Sequence, residues 1–151
     1  NIGITNVNNL VNLEILDASL FCGINDAGIV QCINLKSLNA TEKSNITNVN
    51  HLTNLEKLDA SSECGINDAG IVQCINLNSL NASNNLRITN VNHLTKLKFL
   101  DASCNCGIND AGIVNCSNLK LLNVSNNSKI TTVKHLTKLE ILNDIHIVFN
   151  R

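Results

Sequence analysis

Seven leucines set the frame of this chain. Leu13, Leu35, Leu55, Leu77, Leu97, Leu119 and Leu139 follow one another at intervals of 22, 20, 22, 20, 22 and 20 residues. Six open an L-x-x-L-x-A pattern, as in Leu55-Glu56-Lys57-Leu58-Asp59-Ala60, with Val124 in the alanine's place in the sixth; the copy at Leu139 is defective. In an extended strand alternate side chains point to opposite faces, so Leu58 and Ala60 face one way and Lys57, Asp59 and Ser61 the other. A strand this short with one apolar face is stable only when copies stack in parallel. The chain therefore reads as a solenoid whose true unit is a pair of coils, one short and one long, 42 residues together.

Three further columns describe how each coil returns. An isoleucine (Ile4, Ile24, Ile46, Ile66, Ile88, Ile108, Ile130) precedes the strand leucine by nine residues in short coils and eleven in long ones. Six before it stand Val7, Ile29, Val49, Ile71, Val91, Ile113 and Val133, and three before it Leu10, Cys32, Leu52, Cys74, Leu94, Cys116 and Leu136. With the strand residues, each coil sends about six apolar side chains inward, a core assembled by nearest-neighbour stacking.

On these residues the chain resembles a leucine-rich repeat protein over essentially its whole length. The short coils, such as Ile88-Thr-Asn-Val-Asn-His-Leu-Thr-Lys-Leu97, resemble the internalin type. The long ones, such as Cys64-Gly-Ile-Asn-Asp-Ala-Gly-Ile-Val-Gln-Cys74, resemble the cysteine-containing type. The resemblance implies an α/β solenoid: a horseshoe with a parallel sheet on its concave face and short 3-10, helical or extended segments on the convex side. It says little about ligand. Two departures matter. Small Ala18, Ala40, Ala60, Ala82 and Ala102 imply a thin core beside the sheet. The turn asparagine of the family stands at Asn85, Asn105 and Asn127 but gives way to Phe21, Lys43 and Glu63 earlier, which implies a less regular turn or another polar ladder there.

Composition narrows the function classes. No linker interrupts residues 1–151, so one domain is expected, as part of a longer array, since the chain lacks Met and opens inside a short unit. A net charge of −1 with 15% charged residues and three Phe as the only aromatics argues against a nucleic-acid binder. No apolar run reaches the ~20 residues of a membrane span. At the C-terminal end, Asp144 replaces the core alanine, and Ile145, Ile147 and Phe149 alternate in the opposite register as a makeshift cap or an edge that meets another chain.

Seven cysteines raise metal and disulfide readings, and geometry weighs against both. Members of the column Cys32, Cys74, Cys116 and of the column Cys22, Cys64, Cys106 lie two coils apart, roughly 10 Å, beyond disulfide reach. Both columns read as small buried hydrophobes. Cys104 falls on the outward strand face and makes only a C-x-C with Cys106, so no metal site and no cofactor is expected. Free thiols in odd number favour a reducing, cytoplasmic compartment, with secretion or a cell surface as the alternative. His51, His93 and His135 read as a solvated ladder on the return side, and His146 as an isolated tail residue. Asp26, Asp68 and Asp110 read as N-caps of a one-turn helix. The triplets at Asn39, Asn81 and Asn123 fit the repeat's own Asn and Ser richness better than glycosylation.

The two pair repeats, 13–54 and 55–96, differ at ten positions, and all but Asn54/Lys96 lie on the outward strand face or the turn after it. Asn25, Asp26, Gln31, Asn48, Asn50 and His51 on the return side are unchanged. One reading is diversification of a working face; the other is drift, with the return side held by turn requirements. The working face would centre on Asp17, Asn39, Asp59, Asn81, Asp101 and Asn123, with Lys57, the hydroxyls of Ser61, Ser83, Ser103 and Ser125, and an apolar anchor of Phe99 and Leu121. A non-catalytic module for a protein or peptide partner leads. The alternatives are a solenoid that self-associates through its ends (Ile2, Ile4, Ile147, Phe149) and a thiol hydrolase built on Cys104, which lacks a histidine on its face.

Overall fold

The structure, a computed structural model, describes residues 3–20, 22–43 and 45–143. Ile2, Phe21, Ser44, Asp144, Ile145, His146, Ile147 and Phe149 lie outside the described residues, and with them the readings of the C-terminal cap and tail. Seven strands form one parallel sheet in sequence order: β1 (Ile15–Asp17), β2 (Ser37–Asn39), β3 (Lys57–Asp59), β4 (Ser79–Asn81), β5 (Phe99–Asp101), β6 (Leu121–Asn123) and β7 (Ile141–Asn143). The register is unbroken: Leu16, Leu38, Leu58, Leu80, Leu100, Leu122 and Leu142 are paired in succession. This is the concave sheet that the 42-residue pairing requires.

Behind the sheet the predicted columns close into one core. Leu55, Ala60, Ile66, Ile71, Cys74 and Leu77 have no exposed surface, and their equivalents in the neighbouring coils are similarly buried. On the return side of the long coils the chain makes one helical turn: α1 (Asp26–Ile29) in the first, and 3-10 turns Asp68–Gly70 and Asp110–Ile113 in the others. Their caps differ from the expected ones. Asn25, Asn67 and Asn109 are the N-caps, each accepting through its side chain from the glycine N–H three residues on, at 3.0–3.1 Å.

The displaced aspartates join coil to coil. Asp68 Oδ1 accepts from the N–H of Thr89 (2.8 Å) and of Asn90 (3.2 Å), and its Oδ2 from the Thr89 hydroxyl (2.6 Å). Asp26 and Asp110 repeat the arrangement with Thr47 and Thr131. Asn50 Nδ2 reaches forward to the following long coil, donating to Ala69 O at 2.7 Å, while its Oδ1 accepts from Gln73 N. The histidines are not merely solvated: His51, His93 and His135 are half-buried and place Nε2 3.1–3.2 Å from the carbonyls of Ile29, Ile71 and Ile113. A carbonyl only accepts, so Nε2 donates.

Four glycines, Gly28, Gly70, Gly107 and Gly112, leave no room for a side chain. A Cβ on Gly70 would lie 2.1 Å from Thr47 O, and one on Gly112 2.2 Å from Thr89 O, because the short coil presses against the helical turn there. Each turn after β1 to β6 carries one residue in the left-handed region: Leu20, Glu42, Ser62, Asn84, Cys104 and Asn126, with φ between 53° and 62°. Cys104 therefore sits in a turn and not on the outward face of a strand, as the sequence pattern had placed it.

Candidate functional site

The concave face consists of rows that run across the strands. The first row is Ile15, Ser37, Lys57, Ser79, Phe99, Leu121 and Ile141; the second is Asp17, Asn39, Asp59, Asn81, Asp101, Asn123 and Asn143. Beyond them, leaving the strand, stand Ser19, Thr41, Ser61, Ser83, Ser103 and Ser125.

The second row is bound to itself. Asn81 donates through Nδ2 to Asp59 Oδ2, and Asn123 to Asp101 Oδ2, both at 2.9 Å. The other oxygen of each aspartate accepts from the N–H and hydroxyl of Ser61 or Ser103. Ser61 and Ser103 are buried, each 6% exposed, so they are not the free surface hydroxyls expected of them. Ser83 and Ser125 remain half-buried, and Asn81 Oδ1 and Asn123 Oδ1 accept from their N–H groups. At the edge, hydrogen bonds from Ser19 and from Asn39 hold the Asp17 carboxyl below its usual range, against a smaller upward push from burial. The row thus fixes coil spacing and turn geometry.

The first row is different. Phe99, 44% exposed, Leu121, half-buried, and Ile141, 50% exposed, occupy three adjacent strands and form a continuous apolar patch. Phe99 and Leu121 were expected; Ile141 was not, because the coil at Leu139 lacks the alanine and reads as defective. Its L-x-x-L half is intact, and that signal alone places Ile141 outward. Lys57 is exposed in the same row, two strands from Phe99. Along the strand entry runs an open polar groove of about 800 Å³, lined by Asn34, Asn54, Asn76 and Asn118 on one bank and by Glu14, Lys36, Glu56, Asn78 and Lys98 on the other, with Lys96.

The turn ladder follows the pair repeat. Asn85 and Asn127 are buried and donate to the carbonyls of Ala60 and Ile66, and of Ala102 and Ile108, of the preceding coil. Lys43 takes this place in the turn after β2, its buried ammonium donating to Cys22 O. Asn105, expected in the same ladder, is exposed, since in the alternate turns Cys64 and Cys106 fill the interior instead.

Thiol chemistry is muted. All seven cysteines are free. Burial pushes Cys64, Cys74 and Cys116 up to about 11 and raises Cys32 and Cys106. In the inner column the thiols of Cys32, Cys74 and Cys116 lie 3.4–3.5 Å from the carbonyls of Val7, Val49 and Val91. Cys104 is exposed, with the histidine column on the opposite side of the coils. Among the described residues no group of three or more His, Cys, Asp or Glu could hold a metal ion, and no helix is long and apolar enough to cross a membrane.

The molecule is a leucine-rich repeat solenoid, and the solved structures it is similar to include internalins of Listeria monocytogenes. An internalin, InlF, aligns with 91% of this chain at 26% identity and a TM-score of 0.69. The functional domain of InlJ, which includes a cysteine ladder, aligns with 94% at 18% identity and a TM-score of 0.59. Internalin C2 aligns with 89% at 21% identity and a TM-score of 0.51. The latter two show the fold alone. The chain spans 44% of InlF and 36% of InlJ, less than half the length of either. No protein-family model and no curated protein matches the sequence.

Proposed function

We propose that the chain is a non-catalytic recognition module that binds a protein or peptide on its concave sheet, anchored on Phe99, Leu121 and Ile141. The observation that carries this reading is the apolar patch itself. Three adjacent strands present Phe, Leu and Ile to water, where the rows across β2, β3 and β4 carry only Ser, Lys, Asp and Asn, and exposed Ile15 stands apart on β1 at the other edge. Lys57, Asp59, Asn81, Asp101, Asn123 and Ser83 form the polar rim. The contrast between pair repeats no longer adds weight. Asn25, Asp26, Asn48, Asn50 and His51 are each committed to a bond within or between coils, which accounts for their identity in both copies.

End-to-end stacking is the second reading. Leu10 is 47% exposed where Leu52 and Leu94 in the same column are fully covered. Lys134, however, stands where Asn8, Asn50 and Asn92 clamp a following long coil. Concave-face binding is therefore the better supported of the two.

The test is selection of short random peptides displayed on phage against the immobilised chain. Retained peptides should lose roughly tenfold or more in affinity on Phe99→Ser or Leu121→Ser. Peptides indifferent to both substitutions would overturn the reading, and mass that grows with protein concentration would favour stacking.

A further inference from the structure

The positions just before the strands form a charged ladder: Glu14, Lys36, Glu56, Asn78, Lys98, Lys120 and Glu140. Over most of its length neighbours answer one another. Lys36 pairs with Glu14 at 2.7 Å, Asn78 Nδ2 approaches Glu56 at 3.5 Å, and Lys120 pairs with Glu140 at 2.9 Å. Lys98 is the exception. Its neighbours are an amide on one side and Lys120 on the other, and its ammonium makes no hydrogen bond or ion pair among the described residues. Strands lie ~4.8 Å apart, so Lys98 and Lys120 hold two like charges side by side, and the carboxylate of Glu140 lies beyond Lys120.

This uncompensated charge borders the apolar patch. Lys98 immediately precedes Phe99 and Lys120 immediately precedes Leu121. Just before the strand leucines, Lys96 and Lys138 are tied to the side-chain oxygens of Asn76 and Asn118 at 2.6 Å, which adds positive charge on the strand-entry side. The opposite rim carries Asp101, whose oxygens face Ser103 and Asn123. Around Phe99, Leu121 and Ile141 the surface is therefore positive at strand entry and negative at strand exit.

We propose that the partner presents an acidic side chain next to the apolar residue that occupies this patch, and that Lys98, supported by Lys120, receives that carboxylate. The inference rests on the concave-face reading above. A carboxylate placed here relieves the lysine repulsion and is partly desolvated by the apolar contact beside it, which strengthens the pairing and selects against partners with a cation at that position. An extended polyanion is disfavoured because its charge would also meet Asp59 and Asp101.

The same peptide selection tests it, scored by sequence. Peptides that require Phe99 should be enriched in Asp or Glu adjacent to an apolar residue. They should lose about tenfold in affinity on Lys98→Gln and become less sensitive to salt, while Lys36→Gln leaves them unchanged. Peptides that require Phe99 but show no acidic enrichment, or bind Lys98→Gln equally well, overturn this inference and leave the reading of the face intact. Peptides indifferent to Phe99→Ser overturn both, and so does a library from which none is retained.

Discussion

Asn81 donates through Nδ2 to Asp59 Oδ2 at 2.9 Å across adjacent coils. The alternation of Asp and Asn from β1 to β6 thus keeps carboxylates off neighbouring strands, where two aspartates side by side would be in contact. Asn81→Asp should destabilise the chain by about 1–2 kcal/mol at pH 7, from the lost bond and the new repulsion. Because one carboxyl of the new pair is raised above its unfolded value, the penalty falls as pH drops through that raised value. Urea unfolding at pH 7 and near pH 4 would check it: an equal loss at both would remove the electrostatic part of the account.

The period of the leucines was enough to place every strand and the buried columns, since stacking leaves no other way to hide Leu58 or Ile71. What the sequence concealed was which polar residues are spent on the stack. Asp68 next to Ala-Gly looks like a cap when read locally, and only the adjacent coil reveals Thr89 as its partner. Ser61 alternates with Leu58 and Ala60 as an outward residue should, yet the strand ends at Asp59 and the chain has already begun to turn. The patch residues Phe99 and Leu121 were legible because a large apolar side chain at an outward position has no local purpose; Ile141 was obscured by the missing alanine of its coil.

Gly70 faces Thr47 O at a distance that leaves no room for a methyl group. The carbonyl belongs to a backbone that is itself held by the Asp26 bridge, so relief requires the coils to separate. Gly70→Ala should cost about 3 kcal/mol or more, comparable to overpacking a rigid core. Ala69→Gly, one residue earlier at an exposed position, should cost about 1 kcal/mol. Thermal unfolding of the two variants side by side separates steric exclusion from helix propensity; similar losses would refute the close-approach explanation.

Lys43 occupies the ladder position of Asn85 and Asn127 but contributes a single bond, to Cys22 O. An asparagine there has two carbonyls to donate to and a following N–H to accept from, as Asn85 does with Ala60, Ile66 and Arg87. Replacing a buried ammonium by a neutral amide also removes a desolvation cost. Lys43→Asn is therefore expected to stabilise the chain by about 1–2 kcal/mol, visible as a higher urea midpoint at unchanged slope. A lower midpoint would mean that the lysine stem fills space that asparagine cannot.

Asp110 offers a test of the bridges through pH. Burial pushes its carboxyl upward, but hydrogen bonds from the hydroxyl and N–H of Thr131 and from the N–H of Thr132, helped by the nearby His135, outweigh that and leave it below its usual range. A carboxyl lowered in the folded state contributes stability that is fully present above its unfolded value, close to 3.8, and is lost as pH falls through the folded value. Asp110→Asn keeps the shape but turns one acceptor into a donor facing the Thr131 hydroxyl. At pH 7 it should cost about 1 kcal/mol, the site being open enough for solvent to screen it. The stability lost by the wild-type chain on acidification below about pH 4 should be smaller in the variant. Parallel acid-side slopes in the two proteins would show that the carboxylate does not secure the joint between these coils.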